Sequence, residues 1–282
     1  MNNVITRAIS GTAYITLVVC SIISGPWTFL GLTVIFAVFS AIELKHIDRS
    51  KSGNTPRPLI DCLDICGILF MIVSASLASN SEIGLESIPA FIIPYTFYLI
   101  ARGIIEIYVK EENPLDSLGS SALVQIYIGL PLATLNLLYN TVGANLVLAM
   151  FIFIWVNDTG AFCVGTMFGR RRLFERISPK KSWEGFWGGL AFCIAFAVLF
   201  ALVFDNFFYN FPVNMFIGFA AVVSVFATFG DLFESLLKRT AGVKDSGKIM
   251  PGHGGMLDRI DSLLIVGPIC YCFLLIAKSF LN

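Results

Sequence analysis

Long apolar stretches separated by short polar breaks run the whole length of the 282-residue chain. An α-helix needs about 20 such residues to cross the hydrocarbon core of a bilayer. Nine spans are predicted on this pattern, at roughly 7–24, 26–44, 59–79, 88–109, 117–139, 142–164, 183–204, 211–237 and 260–281. The runs are continuous, which argues against a transmembrane β-barrel, whose strands alternate over about ten residues. Only "SGPW" separates the first two spans, leaving room for a long bent hairpin there. The opening "MNNVITR" is short and weakly basic, and no small-residue cleavage site follows it. The first span is therefore expected to be retained rather than removed as a signal peptide. The expected fold class is all-α: a polytopic integral membrane protein of about nine transmembrane helices, with its active site in the C-terminal half on the cytoplasmic side.

Composition agrees, since 56% of residues are hydrophobic and only 13% are charged, against about 25% charged in soluble domains. Although net charge is zero, the charges are not evenly spread. The segments after spans two, four, six and eight carry Lys45, Arg49, Lys51, Arg57 and Lys110, then Arg170, Arg171, Arg172, Arg176, Lys180 and Lys181, then Lys238, Arg239, Lys244, Lys248 and Arg259. The intervening breaks "SGP", "NSEIGLES", "NTVG" and "DNFFYN" hold no Lys or Arg. Positive residues mark the cytoplasmic side, so the N-terminus is expected inside and the C-terminus outside. The stretch "KHIDRSKSGNTPRP" resembles a linker. It divides an expected N-terminal hairpin with its linker (1–58) from a helical bundle (59–282) carrying the catalytic region (155–262). The seven cysteines have no zinc-site spacing and read as small apolar residues within helices.

Ionisable residues inside spans are costly and usually functional. Those expected within or beside spans are Asp158, Asp231, Glu234, Asp258 and Asp261, with Glu184 at a span entrance. All lie in the second half of the chain, and spans one to five are expected to carry almost none. On span eight Asp231 and Ser235 stand at i and i+4, as do Glu234 and Lys238, so each pair shares a helix face. Asp258 and Asp261 stand at i and i+3 on span nine. Salt bridges at the membrane edge are one reading of this set. The other is a magnesium–phosphate site, because "PGHGG" would offer backbone amides at the start of span nine and magnesium takes one or two carboxylates plus substrate oxygens. In "ISPKKSWEGFWGG", Ser178 and Pro179 read as an N-cap and first helical residue. Lys180 and Lys181 would then sit near the positive end of that helix. The run Arg170–Arg172 suits topology or lipid headgroups.

From Ser235 to Asp261 the pattern S-L-L-K-R-x4-K-D-S-G-x3-P-G-H-G-G-M-L-D-R-I-D resembles the signature of the phosphatidate cytidylyltransferase (CDP-diacylglycerol synthase) family, and the resemblance extends to "NDTGAF" and "SPKKSWEG". Met250 departs from the usual Leu, Ile or Phe but stays apolar. The resemblance implies transfer of the cytidylyl group of CTP to phosphatidic acid, giving CDP-diacylglycerol and pyrophosphate at the lipid bilayer. It implies a magnesium ion, with a second, different cation as an option, a homodimer that composition does not test, and no nucleic-acid partner. By the same resemblance Asp231 and Asp258 would be metal ligands, with Ser235 and Asp261 lining the centre. Lys238, Arg239, Lys244, His253 and Arg259 would meet phosphates. His253 would act as a hydrogen-bond donor or as a proton donor to the leaving group. The matching motifs add Asp245, Gly254, Gly255, Asn157, Asp158, Lys180, Lys181 and Ser182 as substrate-binding residues. Alternatives are a CTP-using enzyme acting on another lipid phosphate or a polyprenol, or a phosphate or nucleotide transporter. A CDP-alcohol phosphotransferase would need an Asp-Gly pair, and the chain has none.

Overall fold

The computed structural model describes residues 3–52, 57–77, 88–109, 113–203, 212–252 and 254–281. The protein is all-α and membrane-embedded, as its apolar runs demand. Its helices are α1 (Asn3–Ser24), α2 (Pro26–Ser52), α3 (Pro58–Leu77), α4 (Ile88–Tyr108), α5 (Pro114–Val124), α6 (Leu130–Phe168), α7 (Trp183–Val203), α8 (Val213–Thr240) and α9 (Leu257–Leu281). A π-helical turn, Gln125–Gly129, joins α5 to α6. Among the described residues, seven stretches are long and apolar enough to cross a membrane, the longest covering Pro114–Phe168. Expected spans five and six both fall in that stretch. No loop separates them; Gly143 alone leaves the helical region, at φ 80° and ψ 177°, a conformation that glycine adopts without a Cβ clash.

The chain forms two compact units, residues 1–141 with 240–260 and residues 142–239 with 261–282. The first contains a buried ionic network that the hydropathy pattern conceals. Lys45 and Arg49 belong to α2 rather than to a loop, because α2 continues to Ser52 and carboxylates of α3 receive them: Lys45 pairs with Asp64, and Arg49 with Asp61. Asp64 is fully buried and also accepts from the hydroxyls of Tyr98 and Ser121, each at 2.8 Å. Arg102 of α4 pairs with Glu106 and donates to Ser121 at 2.9 Å and Ser117 at 2.7 Å. The expectation that spans one to five carry almost no charge is therefore wrong. Single charges among apolar neighbours hardly alter a hydropathy average, yet each must find a partner once buried.

In the second unit, glycines let helices approach closely. A Cβ on Gly188 would overlap Val164, and one on Gly160 would overlap Phe192, so α6 and α7 cross nearly backbone to backbone, the small-residue packing common between membrane helices. Phe153 fills the adjoining core against Phe216, with ring centroids 5.2 Å apart. A short antiparallel hairpin of β1 (Arg172–Phe174) and β2 (Ser178–Ser182) precedes α7, pairing Arg172 with Ser182 and Phe174 with Ser178. The expected cap at Ser178 and Pro179 is thereby corrected. Both residues lie on β2, and the buried Ser182 hydroxyl caps α7 by accepting from the Gly185 amide at 3.1 Å.

Candidate active site

Three carboxylates gather in the second unit. Asp231 of α8 and Asp261 of α9 are brought together by Gly230, where any side chain would collide with the Ser262 backbone and the Asp261 carbonyl. Asp158, exposed near the end of α6, also acts electrostatically on Asp261, as do Asp231 and Lys181. The Lys181 ammonium lies 2.7 Å from Asp231, and Ser235 donates to the same carboxylate at 3.2 Å, which bears out the shared face read from their spacing. Lys181 thus reaches the acidic centre from β2, not from a helix N-terminus. Glu234 and Lys238 form the expected i, i+4 ion pair, with both side chains buried. Arg239 is exposed and donates to the Ile177 carbonyl at 3.4 Å. Lys180 is exposed on β2. Asn157 is buried, accepting from Ser224 at 2.6 Å and packing against Gly189.

The glycine loop lies in the first unit. Its backbone doubles back through a bridge between Met250 and Gly254, with Gly254 at φ 88°. Asp258 accepts at one oxygen from the Ser246 amide (3.0 Å), the Ser246 hydroxyl (2.9 Å) and the Gly255 amide (2.8 Å). The amides of Met256 and Leu257 donate to Glu43 at 2.9 and 2.8 Å. Of the "PGHGG" amides, that of Gly255 is thus taken by a carboxylate of the chain itself, as are the Met256 and Leu257 amides that follow. The same positive helix end attracts these carboxylates, and a covalently tethered carboxylate outcompetes a free anion. A Cβ on Gly255 would overlap both Glu43 and Ser246, which accounts for glycine there. Lys244, Asp245 and Arg259 are exposed around this loop, and His253 lies outside the described residues.

Sequence reasoning missed the supports of this loop. Arg7 of α1 donates to the Gly252 carbonyl at 3.0 Å, Ser10 to the Pro251 carbonyl at 3.2 Å and Tyr14 to the Arg259 carbonyl at 3.2 Å. Glu43, 4% exposed, reaches the loop from α2. One signal was available, since Glu43 is a lone acid within an otherwise apolar span.

Among the described residues no cluster of three or more His, Cys, Asp or Glu side chains has metal-binding geometry. Magnesium does not require one, because substrate oxygens and water complete its shell. The Lys181 ammonium against Asp231 marks a place where the chain already accommodates positive charge. The oxygen donors of Asp231 and Ser235 are of the kind that magnesium takes.

Comparison with known proteins agrees with this inventory. The model of the cytidylyltransferase family matches residues 5–277. The phosphatidate cytidylyltransferase of Thermotoga maritima is 39% identical over 178 residues, covering 61% of this chain and 66% of that protein. That of Bacillus subtilis is 36% identical over 170 residues, covering 60% and 62%. That of Staphylococcus aureus is 45% identical over 127 residues, covering 45% and 48%. The matched part of this chain spans less than two thirds of each of these relatives. With the family match running almost from end to end, the chain belongs to the cytidylyltransferase family.

Proposed function

We propose that the protein transfers the cytidylyl group of CTP to phosphatidic acid, releasing pyrophosphate and forming CDP-diacylglycerol for phospholipid synthesis. The observation that carries this reading is the Asp231–Lys181 centre in a chain that bears the whole 235–261 signature and whose relatives are named for this activity. Phosphate monoesters have a second pKa near 6, so the lipid phosphate is largely dianionic at neutral pH and needs no strong base. One of its oxygens forms a bond to the α-phosphorus of CTP. The bond from that phosphorus to the bridging oxygen breaks, and pyrophosphate departs with the electron pair. The chain's task is to hold two anions in line and offset charge growing on the leaving group.

Magnesium, when bound, would screen the phosphates and stabilise the leaving pyrophosphate. Asp231 would hold it, with Asp258 as the second carboxylate on the signature reading and Asp261 beside Asp231. Lys180 and Lys181 would receive the lipid phosphate. Lys244 and Arg259 would hold the CTP triphosphate, with His253 donating a hydrogen bond to phosphate. A cytoplasmic N-terminus in a bacterial inner membrane is part of the proposal. Cysteine substituted at Lys244 should label from the cytosol, and labelling from the opposite side would refute that orientation.

The deciding assay supplies purified protein with labelled CTP and phosphatidic acid, with and without magnesium, and a polyprenol in a parallel arm. Magnesium-dependent label in a lipid product from phosphatidic acid is expected. Label entering only the polyprenol, or no lipid product at all, would overturn the proposal.

A further inference from the structure

The run Arg170–Arg172 is not used by the chemistry above. It borders a cleft of about 330 Å³ lined by Arg171, Trp183, Glu184 and Trp187. Its backbone is clamped by the first turn of α7. The Glu184 carboxylate accepts the amide of Arg170 at 3.0 Å and that of Arg171 at 3.1 Å, and the Trp183 amide donates to the Arg171 carbonyl at 2.9 Å. With both its amide and its carbonyl secured, Arg171 lines the cleft together with two tryptophans one helical turn apart. Trp183 and Trp187 are 43% and 58% exposed, braced by edge-to-face contacts with Phe186 at 5.8 and 5.2 Å. They stand at the start of an apolar span, Trp183–Val203, where tryptophan rings sit at headgroup level.

From these contacts we infer that the cleft is a headgroup site for an anionic phospholipid bearing a phosphodiester, separate from the Asp231 centre. A volume near the lower end of ligand sites, about 300–1,000 Å³, suits a headgroup rather than a whole lipid. The hairpin around it carries six Lys or Arg, from Arg170 to Lys181, against Glu175 and Glu184. That excess disfavours a zwitterionic headgroup, whose own ammonium it would repel. Within the cleft the Glu184 carboxylate offsets Arg171, so the attraction comes from the other cations of the hairpin, and a singly charged phosphodiester asks less of it than a doubly charged phosphomonoester. The indoles cover the glycerol and upper acyl carbons, as amphipathic rings do at membrane interfaces. An occupied site would hold the hairpin bearing Lys180 and Lys181 at the membrane surface.

The test uses the full chain in mixed micelles and reads tryptophan fluorescence, not activity. Phosphatidylglycerol with brominated acyl chains should quench at a several-fold lower lipid fraction than brominated phosphatidylcholine or phosphatidylethanolamine. Arg171→Gln should abolish that preference, Arg171→Lys should retain part of it, and Trp183→Phe with Trp187→Phe should remove the preferential component. Equal quenching by the three lipids, a preference for phosphatidylethanolamine, or a preference surviving in Arg171→Gln would refute the site. So would displacement of the brominated lipid by phosphatidic acid at a several-fold lower fraction than by unlabelled phosphatidylglycerol, because the cleft would then belong to the substrate.

Discussion

Glu43 offers the sharpest test of how the glycine loop is held. Its buried carboxylate accepts the Met256 and Leu257 amides and shares the Ser246 hydroxyl with Asp258, all within 2.9 Å. Hydrogen bonds to a charged group contribute about 1.5–3 kcal/mol each. Three removed together would sum to roughly 5–9 kcal/mol if they were independent. They share one acceptor, and water can reach the amides once the loop opens, so about 3 kcal/mol is the expected local cost of Glu43→Ala. At about 1.4 kcal/mol per tenfold change, loop opening should become roughly a hundredfold more frequent. Glu43→Gln keeps the shape, loses the charge and places an amide donor where only acceptors fit, so it should show an intermediate effect. Hydrogen–deuterium exchange on the peptide covering 246–258 reads the opening directly, and cytidylyl transfer reads its consequence. Exchange should accelerate in that peptide while peptides of α7 and α8 stay unchanged, and turnover should fall at least tenfold. Unaltered exchange at 254–257 in Glu43→Ala would refute the idea that this carboxylate holds the loop.

Asp231→Asn should cut turnover by orders of magnitude with the protein still folded in detergent; near-normal turnover at saturating magnesium would remove Asp231 from the centre. Asp64→Ala should leave the buried Lys45 with Asp61, 3.6 Å away, in place of its closer partner, and breaking a buried pair costs about 3–5 kcal/mol. A melting temperature in detergent lower by about 10 °C is expected, and an unchanged one would show that the network is dispensable. Gly254→Ala forces a side chain to φ 88° and against the Asp258 carboxylate, so turnover should collapse with little change in melting temperature. A fully active Gly254→Ala would exclude that loop conformation from the working enzyme.

Positions of the apolar spans could be read from sequence because a bilayer imposes one length and one polarity on every helix that crosses it. Spacing of three or four residues likewise revealed the pairs Asp231–Ser235 and Glu234–Lys238, since helix geometry alone makes such residues neighbours. The signature located the glycine loop by residue type. Tertiary structure decided what spacing does not encode. Glu43 and Leu257 meet across 214 positions of sequence, and Asp64 gathers groups from α2, α4 and α5. The "SPKK" stretch has the composition of a helix start, yet it is a strand because Arg172–Phe174 pairs with it. Gly230 permits an approach that places Asp261 beside Asp231, and neither aspartate records this in its own surroundings. In each case the partner is chosen by which charges and amides would otherwise be buried unsatisfied, a condition defined only once the helices have packed.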